Sequence, residues 1–292
     1  MELGVLIMDC PCLASDMKGI FNAYWDLTLV EPSSEKQTQE EPKKQIKENV
    51  LPPNPIFNRE NPLIVHHKGV ETSAYLATSP LELNGPDRTW DLDAILSGIR
   101  RANKYLYIHV MDYIPMMVYR EPKQYFPVID DAIREAVIER GVEVKLLAAA
   151  LHFVPQTLRF LKSLHSINGA FDQGSIEVKI FNVPSLTETQ NVIARERRTH
   201  NKFMVTEDTV VIGTSNWSGD YFFGNTGVAL VVTQNKTERR PFVDEMREIF
   251  IRDWESEYAH TLTTYMKLCL HKKGDSAGEV CSVEKGKKEA KE

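Results

Sequence analysis

Between Tyr105 and Phe181 the apolar residues alternate between strand spacing and helix spacing, and this alternation admits few folds. Tyr105-Leu106-Tyr107-Ile108-His109-Val110-Met111 is rich in aromatic and branched residues and reads as a strand. Residues 125–140 carry Ile129, Ala132, Ile133, Ala136 and Val137 on one helical face, and Gly141 marks the stop. Val142-Glu143-Val144-Lys145-Leu146-Leu147 is the next strand, followed by a helix over about 155–168 and the strand Ile176-Glu177-Val178-Lys179-Ile180-Phe181. A strand followed by a helix and another strand returns by a crossover, which makes the two strands parallel. The expected fold class is therefore α/β: a layered α/β/α domain on a mixed, largely parallel sheet.

The flanks extend this pattern. Residues 63–78 hold two short strand candidates, and Asp91 to Ala102 reads as a helix with Asp91 near its start. Lys202-Phe203-Met204-Val205 and Thr209-Val210-Val211-Ile212 are adjacent strands joined tightly at Glu207-Asp208. Gly227-Val228-Ala229-Leu230-Val231-Val232 is another buried strand. A last helix over 237–254 turns Phe242, Met246, Ile249, Phe250 and Trp254 inward. Upstream, Glu2 to Met8 reads as a buried strand, and 13–26 as a helix with Leu13, Met17, Ile20, Phe21, Tyr24 and Trp25 at helical spacing. Apolar periodicity then stops. The expected organisation is a strand and helix over 1–28, a polar, proline-containing linker over 29–62, the main domain over 63–270, and a disordered tail rich in Lys, Glu and Gly over 271–292.

Composition narrows the partners. A formal net charge of −6 argues against bulk electrostatic binding to nucleic acid. It leaves room for a local basic cleft, and Arg195, Arg197 and Arg198 stand just ahead of His200. No apolar run reaches the length of a transmembrane helix. Met1 to Asp9 has no basic start and its apolar run is short, so no secretory leader is expected there. The four cysteines, Cys10, Cys12, Cys269 and Cys281, lack zinc-ligand spacing, and no other metal-ligand cluster is visible. They are either free thiols or disulfide partners; Cys10 and Cys12 stand too close in sequence to pair comfortably with each other. Asn235-Lys236-Thr237 and Asn216-Trp217-Ser218 fit the N-glycosylation pattern, the second as a chance match.

The residues with a chemical reading are His200, Lys202, Glu207 and the run Gly213-Thr214-Ser215-Asn216. A phosphodiester resists attack because its oxygens are anionic. A protein helps with a nucleophile or proton donor, with cations on the nonbridging oxygens, and with neutral donors that fix the phosphate. Histidine suits the first task, lysine the second, and asparagine with hydroxyl residues the third. In a strand His200 and Lys202 point the same way. The turn at Glu207 sends the chain back, so that Thr214, Ser215 and Asn216 end the neighbouring strand beside His200, where Gly213 permits close backbone approach. A lone His-x-Lys is common by chance; the joint pattern on two returning strands is the signal. Tyr113, Phe126 and Tyr221-Phe222-Phe223 are aromatic positions that either stack on bases or, more commonly, fill a core.

His200-Asn201-Lys202-Phe203-Met204-Val205-Thr206-Glu207 and Ile212-Gly213-Thr214-Ser215-Asn216-Trp217-Ser218-Gly219 resemble the second His-Lys-Asp motif of the phospholipase D superfamily, in its animal endolysosomal branch. Val110 to Pro115, Phe126 to Asp131, Arg252-Asp253-Trp254, Glu2-Leu3-Gly4-Val5 and Cys10-Pro11-Cys12-Leu13 also resemble that branch. The resemblance implies a phospholipase D-type half-domain. It implies a metal-free, cofactor-free phosphodiesterase working through a phosphohistidine, on single-stranded five-prime nucleic-acid ends or on phospholipids. It implies proteins of the endoplasmic reticulum and endolysosomal lumen, membrane-anchored at full length. Carried over by position, His200 is the acid/base partner, Lys202 holds a nonbridging oxygen, Asn216 with Ser215 or Thr214 completes the cradle, and Glu207 supports a histidine.

A complete site of this kind has two such motifs. His66-His67-Lys68 lacks the Gly-Ser/Thr-x-Asn end, His109 sits in an apolar run as a packed residue, and His152 is a weak candidate for substrate contact. The resemblance places Glu2-Leu3-Gly4-Val5 directly after the first motif, so the chain is expected to hold half a site and to need a second half in trans, as in a homodimer. The alternative is a catalytically inactive phosphate- or nucleic-acid-binding module.

Overall fold

The computed structural model describes residues 1–27, 55, 57–149, 154–184, 186–193, 198–234 and 239–271. The expected linker falls largely outside these residues, as do His152, Arg195, Arg197, the Asn235 glycosylation pattern, Cys281 and nearly all of the expected tail.

The alternation read from the sequence becomes a nine-stranded sheet. Its strands are β1 (Leu63–His67), β2 (Val70–Ser79), β3 (Tyr105–Val110), β7 (Glu143–Ala148), β8 (Ser175–Phe181), β9 (Lys202–Thr206), β10 (Thr209–Gly213), β12 (Gly227–Thr233) and β13 (Ala259–Thr261), in the spatial order β1-β2-β12-β10-β9-β3-β7-β8-β13. Short strands β4 (Tyr113–Ile114), β5 (Met116–Met117), β6 (Gln124–Tyr125) and β11 (Trp217–Ser218) pair outside it. The helices are α1 (Pro11–Leu27), α2 (Asp91–Arg101), α3 (Val128–Arg140), α4 (Val154–His165), α5 (Glu188–Val192), α6 (Gly219–Gly224), α7 (Pro241–Glu255) and α8 (Leu262–His271).

The sheet is mixed, as expected. Parallel pairing joins β3, β7 and β8, where helical crossovers require it. The tight turn at Glu207-Asp208 makes β9 and β10 an antiparallel hairpin, and antiparallel pairing continues through β12 and β2 to β1.

Alternate residues along each strand serve opposite faces. Leu106, Ile108, Val144, Leu146, Met204 and Val211 face the layer of α2, α3 and α4. Tyr107, Leu147, Phe203, Val205 and Val210 face α7, whose Val243, Met246, Phe250 and Trp254 are buried as the helical spacing requires. Farther along the same side, Leu13 and Ile20 of α1 pack on Leu76 of β2. Each large side chain buried this way contributes roughly 1.5–3 kcal/mol. Gly141 ends α3 in the left-handed region at φ 68°, which favours glycine.

One element differs from expectation. Residues 2–8 do not form a buried strand: Leu6 is 84% and Met8 74% exposed. The apolar spacing is right for a strand, but a strand also needs a ladder. Among the described backbone bonds, only those around Met1 hold this segment, from Met1 N to Arg198 O and from His200 N to Met1 O.

Candidate active site

The register gives the sheet two distinct ends. Ser79 pairs with Gly227, and Gly213 with Ala229, at one end; Lys202 pairs with Val110 there too. This end carries the candidate chemistry.

Lys202 opens β9 and His200 stands two residues ahead of it. Together with Gly213 and Thr214 they line one end of a cavity of about 390 Å3, whose other walls are mostly apolar side chains such as Leu13, Leu76 and Leu230. The expected convergence of the two strand ends is therefore present. The His200 ring is 58% exposed, and its Nδ1 lies 2.7 Å from Glu2 Oε2. A carboxylate at Nδ1 accepts a hydrogen bond from an Nδ1–H, and in that tautomer the Nε2 lone pair is free to accept a proton. Lys202 Nζ donates to His200 O at 2.8 Å, so the ammonium is held beside the imidazole. Burial is the largest influence on this amine and brings its pKa down to about 8, against the opposing pull of Glu2 and Asp112.

The Gly-Thr-Ser-Asn run divides its tasks. Thr214 Oγ1 accepts from Val228 N at 3.0 Å, which leaves its hydroxyl proton to donate. Ser215 turns inward and donates to Asp91 Oδ2 at 2.7 Å. Its proton is committed there, and it holds the loop rather than facing the cavity. Asn216 is 1% exposed and its Oδ1 has no hydrogen-bond partner. Such burial leaves no room for a glycan on Asn216. Gly227 is the close-approach residue: a Cβ there would lie 2.6 Å from Ser79 Oγ and 2.9 Å from Ser215 Oγ.

Glu207 is not brought to His200. Its Oε1 accepts from Asn103 N at 2.8 Å, tying the β9–β10 turn to the start of β3. At about 3.3 Å per residue, an extended strand separates Glu207 from Lys202 by about 16 Å. The expected support of a histidine by Glu207 is corrected accordingly, and Glu2 is the carboxylate beside His200. His66 and His67 also lie at the far end, next to the β1–β2 turn. Tyr113, Phe126 and Phe222 are buried core residues, the commoner of the two alternatives for such positions. Cys10 and Cys12 are free thiols with their sulfurs 3.6 Å apart.

Three partners escaped the sequence reading: Glu2, Asp91 and the wall helix α1. Asp91 signals itself only as an acidic residue in a first helical turn, which is ordinary. Burial, the largest influence, raises its pKa to about 6, opposed by hydrogen bonds from Ser215 and Ser79. The folded chain then binds a proton between about pH 4 and about pH 6 that the unfolded chain has released. Asp91 therefore favours the fold at low pH, and this contribution is lost as pH rises through about 6. Asp91→Asn is expected to become more stable relative to the parent over that interval, by up to roughly 3 kcal/mol. Urea midpoints of both chains at pH 4.5 and 6.5 measure it; a pH-independent difference would refute the assignment.

The sequence family described as "PLD3/4, PLD-like domain" matches residues 1–186. The chain is 40% identical over 286 residues to the rat 5'-3' exonuclease PLD3, covering 97% of this chain and 54% of that protein. It is 37% identical over 264 residues to the human 5'-3' exonuclease PLD4, covering 88% of this chain and 49% of that protein. The chain thus spans about half the length of the curated relatives it matches. Among solved structures, Nuc of Salmonella typhimurium, titled a phospholipase D family member, aligns with a TM-score of 0.46 at 16% identity, covering 65% of this chain and 98% of that one. With its family match across residues 1–186, the chain belongs to the PLD3/4 family of phospholipase D-like proteins.

Proposed function

We propose that this chain carries one half of a phosphodiesterase site. The observation that carries the reading is the meeting of His200 and Lys202 at one end of a single cavity, with Thr214 and Gly213 beside them. In this reading His200 passes protons through Nε2 to and from the scissile oxygen. Lys202 neutralises a nonbridging oxygen, and Asn216 with Thr214 fixes the phosphate. The relatives' name, 5'-3' exonuclease, supports single-stranded nucleic acid with a free five-prime end as the substrate, with phospholipid as the comparison substrate. The attacking nucleophile, a second histidine that becomes phosphorylated, comes from another half-site in trans.

A second copy of the chain is the proposed source. Leu6, Met8, Phe21 and Trp25 are large apolar side chains at least 59% exposed, on the N-terminal segment and helix that wall the cavity. Such a surface favours burial against a partner. Two-fold pairing would set the half-sites of the two chains face to face.

The test is turnover of a five-prime single-stranded oligonucleotide at rising chain concentration. Specific activity is expected to fall on dilution below the dimer dissociation constant. His200→Ala is expected to lower turnover about 10³-fold. Cleavage indifferent to His200→Ala would refute the reading. A strict monomer that binds the oligonucleotide without cleaving it would leave the phosphate-binding alternative.

A further inference from the structure

The chain segment that carries His200 is clamped from behind by a buried polar cluster. His109 sits in β3 with no exposed surface, its ring packed between Phe181 and Phe203. His109 Nδ1 lies 3.3 Å from Asp253 Oδ2 on α7. His109 Nε2 lies 3.1 Å from Thr199 Oγ1. The Asn201 side-chain amide abuts the ring at Nδ1, with Nδ2 at 3.3 Å. Thr199 and Asn201 are the two neighbours of His200, and each is 1% exposed.

The proton placement follows from what each group needs. Asp253 Oδ1 accepts from Arg252 at 2.8 Å. Asp253 Oδ2 is buried without a hydrogen-bond partner of good geometry among the described residues, and His109 Nδ1 lies 3.3 Å from it. The ring proton therefore sits on Nδ1, the Asn201 amide turns its oxygen rather than its nitrogen to that N–H, and the Thr199 hydroxyl donates to Nε2. Burial, the largest influence on this ring, pushes its pKa down, so the ring is neutral in the clamp.

A histidine at a fully buried position costs desolvation that an apolar residue would avoid. We propose that His109, braced by Asp253, is a positioning residue for His200 and Lys202. By holding Thr199 and Asn201 on the α7 side, it fixes the backbone from which His200 and Lys202 reach the cavity at the sheet end. The inference rests on the half-site reading and adds to it the groups that aim the reacting side chains. A shift of the flanking backbone by about 1 Å is enough to cost about 100-fold in rate.

The test replaces His109 by phenylalanine, which keeps a ring and removes both polar edges. The melting temperature is expected to stay within a few degrees. On a small phosphodiester, kcat is expected to fall about 10- to 100-fold while KM moves less than about threefold. His109→Gln, which can still donate to Asp253 and accept from Thr199, is expected to recover most of the loss. The 15N imidazole resonances of His200 are expected to move in His109→Phe and to return toward the parent in His109→Gln. Unchanged kcat with unmoved His200 resonances would overturn the proposal. So would a loss that tracks the melting temperature and is equal in both variants. If His109→Phe does not fold, Thr199→Val carries the test with the same expected displacement. If the parent chain turns nothing over, the half-site reading fails by itself, and the imidazole spectrum still decides the role of His109.

Discussion

Lys202→Met is expected to lower phosphodiester turnover by roughly 10²–10³-fold, the usual cost of removing one preorganised donor to a developing charge. Fold stability should hold or rise, because a buried ammonium is replaced by an apolar chain of similar length. The parent chain makes a paired prediction. With its pKa brought down to about 8, Lys202 loses its charge as pH rises through that value, and turnover falls with it. Stability moves the other way. Between about pH 8 and the unfolded value near 10.4, the unfolded chain binds a proton that the folded chain has released, so stability rises with pH. A chain that becomes firmer and slower together above pH 8 is the signature, read from melting temperatures and initial rates in one buffer series. Turnover of Lys202→Met within threefold of the parent would remove Lys202 from the site.

The largest effect on folding is expected at Asp16. Its carboxylate meets Arg88 in a two-point contact, with Nη2–Oδ1 at 2.6 Å and Nη1–Oδ2 at 3.3 Å. The Arg88 side chain has no exposure and that of Asp16 only 5%, so water is not at hand to replace either partner. Asp16→Ala removes the two-point carboxylate partner of a buried guanidinium and is expected to cost about 3–5 kcal/mol. Changing both residues to apolar ones, Asp16→Leu with Arg88→Met, is expected to recover much of that loss. The pair ties α1 to the segment ahead of α2. The second tie is the Tyr24 hydroxyl, 2.8 Å from Ser79 O and 2.9 Å from Gly227 O. Burial raises its pKa to about 12, so it keeps its proton to donate. Urea midpoints and protease sensitivity of residues 1–27 measure the effect. A midpoint equal to the parent's would show that the ion pair does not hold α1.

Much of this architecture was legible because its causes are local. Strand and helix spacing placed the long elements between Leu63 and Trp254 within a few residues but not the short β4, β5, β6, β11, α5 and α6, and the Glu207-Asp208 turn was readable as a hairpin. The convergence of His200 and Lys202 with Gly213 and Thr214 followed from alternation and one tight turn. What escaped depends on contacts between distant residues. Ser215 and Asp91 are separated by 124 positions, and His200 and Glu2 by 198. Nothing in the spacing around Asp91 distinguishes a buried loop anchor from an ordinary first-turn acid. The same holds for His109, readable as packed but not as one pole of a cluster with Asp253. Glu207 was misplaced for a simpler reason: motif proximity in sequence overlooked the length of an extended strand. Glu2 to Met8 satisfied the apolar count for a strand, and only a neighbour could supply the other requirement.

The placement of α1 has an optical consequence. Of the four tryptophans, Trp217 and Trp254 are 4% and 5% exposed, while Trp25, on the outer side of α1, is 60% exposed. A soluble quencher such as acrylamide will therefore dim the Trp25 emission first. Any contact that covers α1 will shield and blue-shift it, and release of α1 from the sheet will leave it quenchable. The chain carries a native fluorophore on the surface proposed to meet a partner, so its association can be followed without a label.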